Sequence, residues 1–392
     1  MRMMTDKGPL AGYRVVEFGS NLTAPIATML LGDQGADVIK VETPAGDQLR
    51  GSGDRRAAVS GMGSMFLNAN RNKRSIVLDL KQPDDRAVAL ALAASADVVV
   101  QNFRPGVIDR LGLGYEAVRS VREDIVYVSI DGLGRSGPAA GRRVYDIVVQ
   151  GIAGFAGIQA DPVTRKPEVV RNSVTDKVTA LFVFQAVTAA LLVRERTGKG
   201  QHIQVSMLDA ALAFLWPETM GSSTLAGGDV EPGGSVAGTR YCYPTADGHI
   251  ILGFVTSSEF EAVCEALESP ELLDDPRFKT LGQRFANAAE LNAVVGDRLL
   301  TRSTAEWLAR LATVDAVYAP VNWPDDILND PQVIAAGTVA EYDHPVVGPY
   351  RQPAHPARFS ATPAGLRRHA PELGADGPAI RAELGSDSEG AP

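Results

Sequence analysis

Between residues 13 and 131, short β-rich apolar runs alternate with segments of helical period. VVEF (15–18) precedes APIATMLLGDQG, and DVIKVE (37–42) follows it; SIVLDL (75–80) precedes a helix predicted around 83–95; DVVVQN (97–102) and IVYVSID (125–131) come later. Runs this continuously apolar suit strands covered on both faces, and helix-length spacers let such strands run parallel. The pattern predicts an α/β domain built on a mostly parallel sheet.

From Arg171 to Trp216 the rhythm changes. A long apolar helix opens near Asp176, ends in the turn TGKGQ and gives way to a strand, HIQVSM; a second helix begins at Leu208 or Asp209. The positive end of a helix favours an ionised acid, which suits Asp176 to the work of a nucleophile better than to that of a proton donor. The alternative is that Asp176, beside Thr175, caps the helix.

Residues 1–217 therefore form the N-terminal part of a large domain, and 218–236 (Gly-, Ser- and Thr-rich) form a linker. The next segment, 237–330, is a smaller α/β domain. It opens with a hairpin turning at Asp247-Gly248 and continues with helical patterns at 258–267, 284–300 and 303–313. Residues 331–392 return to the large domain through a Pro-rich stretch and a strand, TVAEYDH; disorder is expected at the end of the tail, GSDSEGAP. The Gly- and charge-rich stretch 43–63 exceeds what a connection needs and reads as a mobile loop or a ligand cover.

Composition narrows the function. Net charge is 38 − 47 = −9, so nucleic acid and anionic membrane are not expected partners, and an anionic ligand must sit on a local basic patch. Two cysteines and five scattered histidines offer no metal-ligand spacing and point to a reducing, cytoplasmic setting without a metal site. No apolar run reads as a membrane span or signal peptide. Neither GxGxxG after the first strand nor GxxxxGK[ST] is present.

In a doubly wound domain, ligands gather at the C-terminal ends of the strands. After VVEF comes Gly19-Ser20-Asn21-Leu22-Thr23-Ala24-Pro25, a polar turn into a helix. Around SIVLDL lie the run Asn70–Arg74 and Lys81; after DVVVQ come Asn102-Phe103-Arg104, with Arg110 one turn into the next helix. Cations and an aromatic ring at strand ends suit a ligand with phosphates and a flat base.

The segments GYRVVEFGSNLTAPIATMLLGDQGADVIKVETPAGD, NRNKRSIVLDLK, ADVVVQNFRPGVIDRLGLGYE, VYDIVVQGIAG and TDKVTALFVFQAVTAALLVRERTGKGQHIQVSMLDA, in this order and spacing, resemble the class III CoA-transferases and the related 2-methylacyl-CoA racemases. The resemblance implies a Rossmann-like large domain made from both chain ends, a small domain between them, and an interlocked homodimer. It implies CoA and acyl-CoA as substrates rather than a tightly bound cofactor, with a carboxylic acid as acceptor. Asp176 matches the transferase nucleophile, and Asn21, Leu22 and Thr23 match the loop against the thioester, whose backbone N–H groups would face the oxyanion. Leu78, Lys81, Asn102, Phe103, Arg110 and Leu111 match positions holding the adenine and phosphates of CoA. Arg143 stands for a lysine in that set, Thr43 stands where some relatives carry a cation, and Gly233-Gly234 falls near a glycine loop that covers the intermediate.

Racemases resemble one another in a His-Asp pair and a small-domain Glu that move the α-proton. Here the pair reads Tyr145-Asp146, and Thr256 stands near the Glu position with Glu259 three residues on. A tyrosine of ordinary pKa near 10 is a poor base near pH 7. The transferase branch is therefore expected, with Tyr145 orienting the carboxylate; a racemase and a non-catalytic acyl-CoA-binding protein are the alternatives.

Overall fold

The computed structural model describes residues 8–161, 164–227 and 241–389. Six strands, β1 (Arg14–Phe18), β2 (Asp37–Glu42), β3 (Lys73–Val77), β4 (Val98–Gln101), β5 (Val126–Asp131) and β6 (Gln201–Ser206), form one sheet in the order β3-β2-β1-β4-β5-β6. Every pairing is parallel. This is the doubly wound order, with its crevice where β1 and β4 lead to opposite sides.

Successive residues of each apolar run feed opposite faces, as the two-residue period of a strand requires. Val15, Val38, Val98 and Val128 pack under the helices Thr23–Asp33 and Val174–Thr197. Their neighbours Val16, Ile39, Val99 and Tyr127 pack under the helix Pro83–Ser95 and the C-terminal helix Gly377–Glu389. The Val174–Thr197 helix is, against expectation, long and apolar enough to cross a membrane by length and composition. Its Val178, Ala180, Val183 and Val187 are buried, so one face of it belongs to the core.

The strand expected at 75–80 lies at 73–77 instead. The N–H of Leu78 still bonds to the carbonyl of Glu42, and a turn from Asp79 to Gln82 follows at once. Lys73 and Arg74 are thus inside β3, far from its C-terminal end. The chain terminus covers the free edge of this strand: the N–H of Ser75 donates to Asp376 (2.9 Å), the N–H of Asp376 to the Ser75 carbonyl (3.0 Å) and Glu383 pairs with Arg74 (2.6 Å). The tail GSDSEGAP is helical as far as Glu389, and its last residues lie outside those described.

The chain divides into two compact units, Met1–Leu215 with Gly337–Pro392, and Trp216–Ala336. The first also carries an antiparallel hairpin, β10 (Val339–His344) with β11 (Gly348–Pro353). The second has the sheet β7 (Cys242–Pro244), β8 (His249–Gly253), β9 (Val317–Pro320) packed with helices around Phe260, Leu291, Val295 and Trp307. The single helix expected at 284–300 is two, Leu281–Ala286 and Ala288–Leu299, broken at Asn287.

Candidate active site

At the end of β1 the chain turns through Gly19–Thr23 before entering a helix. Asn21 adopts φ 65°, a left-handed conformation that asparagine tolerates better than most residues. Gly19 has no alternative: a Cβ there would lie 2.6 Å from that of Ala24. The turn is clamped at four points. Lys40 donates to the Gly19 carbonyl (2.9 Å). The Asn102 amide bonds both the N–H (3.1 Å) and the carbonyl (2.9 Å) of Ser20. Asp47 accepts from the N–H of Asn21 (3.4 Å), and the Thr23 hydroxyl donates to the Asp176 carboxylate.

Asp176 is the third residue of the helix Val174–Thr197, but it does not cap that helix. Asp146 does: its Oδ1 accepts from the N–H of Thr175 (2.7 Å), the N–H of Asp176 (3.2 Å) and the Thr175 hydroxyl (2.6 Å). Gln150 holds the other oxygen of Asp146 at 2.6 Å. One buried carboxylate satisfies the helix end, and a second is left to face the cavity.

The division of labour changes the charge state expected for Asp176. Its pKa is pushed up to about 6, chiefly by burial; the Thr23 hydroxyl and Lys177 oppose the rise and Asp146 adds to it. The sequence expectation was an acid held ionised by the helix end. That end is occupied by Asp146, so burial wins. A carboxylate with this pKa is still mostly ionised at pH 7, and it is poorly solvated, which favours nucleophilic attack.

The acid opens on a cavity of about 240 Å³. Asn21, Thr23, Asn102, Phe103, Arg143 and Tyr145 line it with Asp176, so the structure gathers seven of the expected site residues in one place. Leu22, Leu78, Lys81, Arg110 and Leu111 do not line it. Leu78 is fully buried in the core under the sheet, Leu111 packs on that core, and Leu22 packs on a small cluster around Phe66. Lys81 and Arg110 are exposed beyond the ends of β3 and β4.

Residues 10–377 match CoA-transferase family III. The chain belongs to that family. It is 35% identical to succinyl-CoA:glutarate CoA-transferase of Mus musculus, over 93% of this chain and 84% of that one. It is 34% identical to acetyl-CoA:oxalate CoA-transferase of Acetobacter aceti, over 96% of each. A CaiB/BaiF family protein from Brucella suis superposes with a TM-score of 0.83 at 34% identity, over 97% of this chain and 100% of that structure. As a class III CoA-transferase, the protein is an enzyme working on CoA thioesters and carboxylic acids.

Several expectations for this transferase need correction. The run Asn70–Arg74 holds no cation free for a ligand: Arg71 pairs with Asp33 (2.6 Å), Lys73 with Glu17 (2.8 Å) and Arg74 with Asp37 (2.6 Å). Asn102 spends its amide on Ser20. The Tyr145 hydroxyl accepts from Arg143 (2.6 Å), and the hydroxyl on Asp176 belongs to Thr23. The N–H groups of Ser20 and Asn21 are both engaged, so those left in the turn for an oxyanion are Leu22 and Thr23. The stretch 43–63 is not a free loop, since Asp47, Leu49, Arg50 and Met62 are buried, with Arg50 bonded to Glu42 at 2.6 Å. Gly233-Gly234 lies outside the described residues.

Glu259 is also committed. Its carboxylate accepts from the N–H groups of Val255 (2.8 Å) and Thr256 (2.9 Å), and the Thr256 hydroxyl caps the same helix in return. This capping box ties one oxygen of Glu259 to the start of its own helix. Asp146 figures in the sequence only as the partner of Tyr145; its role as cap of the Asp176 helix was not anticipated. The signal was there, an Asp opening the helix DIVVQGIA, but its target is 30 residues away in the chain.

Proposed function

We propose that this transferase moves CoA between a donor acyl-CoA and a short dicarboxylic acid through covalent intermediates on Asp176. The observation that carries the reading is a half-buried carboxylate, free of capping duty and held by one hydroxyl, at the wall of a cavity lined by Arg104, Arg142 and Arg143. None of those three arginines is in an ion pair among the described residues. Guanidinium groups without a carboxylate partner suit the second carboxylate of a diacid, Arg143 also donating to the Tyr145 hydroxyl. The relatives named for glutarate, succinyl and oxalate groups support the same class.

The steps follow from covalent catalysis. Asp176 attacks the thioester carbonyl, forming an aspartyl-acyl anhydride and expelling CoA thiolate. The thiolate attacks the aspartyl carbonyl, releasing the donor acid and leaving an aspartyl-CoA thioester. The acceptor carboxylate attacks this thioester, giving a second anhydride and thiolate. Attack of thiolate on the acceptor carbonyl yields the new acyl-CoA and restores Asp176. The N–H groups of Leu22 and Thr23 are the available donors to the oxyanions. Lys81 and Arg110, exposed and without ion-pair partners among the described residues, hold the phosphates of CoA, and Phe103 and Leu111 border the adenine.

The working form is an interlocked homodimer in the cytoplasm. Supporting the dimer, Ile147 (61% exposed) and Leu181 (56%) stand among a set of exposed apolar side chains on the helices around Asp146 and Asp176. The test of the mechanism is hydroxylamine trapping. After incubation with succinyl-CoA or acetyl-CoA, Asp176 should be recovered as a hydroxamate in a peptide map. Unmodified Asp176 with every donor that supports turnover would overturn the covalent route. A panel of mono- and dicarboxylic acids, read by mass spectrometry of CoA products, tests the acceptor class; transfer confined to monocarboxylates would reject it.

A further inference from the structure

Beneath the Gly19–Thr23 turn lies a row of ionised side chains with almost no access to water. Glu17 on β1 is the direct cross-strand neighbour of Lys40 on β2. Lys40 Nζ lies 2.7 Å from Glu17 and 3.0 Å from Asp47; Lys73 on β3 reaches the other oxygen of Glu17 at 2.8 Å. Side-chain exposure is 0–1% across all four groups. Two acids and two bases balance to zero charge.

Stability alone does not account for this row. Well-packed apolar residues of similar volume are often as stabilising as a buried ion pair, because desolvation offsets most of the attraction. What apolar residues lack is direction. Lys40 aims a donor at the Gly19 carbonyl, and Asp47 aims Oδ1 at the N–H groups of Asn21 (3.4 Å) and Leu49 (3.0 Å). Its Oδ2 faces Lys40 as an ion pair without hydrogen-bond alignment. Both contacts land on the residues that set the path of the turn, one of them the left-handed Asn21.

We propose that Lys40 and Asp47 are positioning residues for CoA transfer: they hold the Gly19–Thr23 turn so that the Thr23 hydroxyl fixes the direction of the Asp176 carboxylate. The proposal rests on the reading of Asp176 as the nucleophile. A carboxylate free to rotate loses its line of attack, and misplacement by an ångström can cost about 100-fold in rate. Loosening the turn also removes the one bond that favours the charged form of Asp176. Lys177 and Asp146, the other charges facing it, stay where they are.

The test compares Asp47→Ala, Asp47→Asn, Lys40→Met and Arg71→Met in the full-length protein. Asn keeps an acceptor for the N–H of Asn21. Arg71→Met removes the charge partner of Asp33, leaving it the Asn72 amide (2.7 Å), in a buried pair that touches no residue of the turn. For each variant, kcat, KM for acyl-CoA, the pH–rate profile and the thermal midpoint are measured. Asp47→Ala should lower kcat about 100-fold at nearly constant KM and move the acid limb to higher pH. Asp47→Asn should recover most of the rate, and Arg71→Met should lose stability while keeping both rate and limb. Lys40→Met should follow Asp47→Ala; if it does not fold, the Asp47 pair decides. Wild-type kcat and limb in Asp47→Ala, or an equal loss of kcat in Arg71→Met, would overturn the proposal. Asp176→Ala separates the two readings. An active Asp176→Ala protein removes the nucleophile, whereas an inert one beside a fully active Asp47→Ala removes only the positioning role.

Discussion

Replacing Asp176 by Asn should make the protein more stable while disabling it. The fold holds this carboxyl near pKa 6, against about 3.9 for an aspartate in an unfolded chain. The difference of about two pH units, at 1.36 kcal/mol each, corresponds to about 3 kcal/mol of penalty on the charged form. That figure already includes the Thr23 bond, which works in the opposite direction. Because the folded pKa is the higher one, the folded state binds more protons between about pH 4 and 6, and stability falls as pH rises through that window. Above pH 6 the penalty is complete. Asn keeps the shape and carries no charge, so its advantage should be near zero at pH 4 and reach about 3 kcal/mol by pH 7. Urea unfolding of both proteins at several pH values gives the difference directly. Turnover measured on the same samples should fall on the order of 10⁴-fold. An advantage that does not change with pH, or a less stable Asn variant at pH 7, would show that Asp176 is not a desolvated carboxylate.

Other perturbations probe the neighbours. Asp146→Asn removes a negative charge beside Asp176, so the acid limb of the pH–rate profile should move to lower pH; the amide nitrogen would face the Gln150 donor, and the lost bond should cost about 1 kcal/mol in unfolding experiments. Wild-type protein should not wash α-deuterium out of a 2-methylacyl-CoA, and Tyr145→His should not start to, since Glu259 is held in its capping box; deuterium loss followed by mass spectrometry checks both. Tyr145→Phe should retain transfer activity, because the hydroxyl it removes is bonded to Arg143. Ile380→Ala in the C-terminal helix, a fully buried position, should cost about 2–5 kcal/mol in the same urea assay.

Sequence by itself determined the layered architecture of this protein. Runs such as DVIKVE and IVYVSID can be satisfied only by burial on both faces, and the helix-length spacers force parallel pairing, so strands and sheet type follow from local pattern. It also singled out Asp176, Thr23 and the turn between Gly19 and Thr23, because glycine, a polar run and a helix start adjoin in the chain. Tertiary structure decided how the side chains there are used. Whether Asp176 caps its helix depends on Asp146, which arrives from another helix. Whether Lys73 and Arg74 meet a ligand depends on where β3 begins, and a shift of two residues places them in ion pairs with Glu17 and Asp37. The charge on Asp176 is set by desolvation, which no spacing of residues encodes. A charged side chain reads alike in the sequence whether water or another chain segment neutralises it, and only packing tells the two apart.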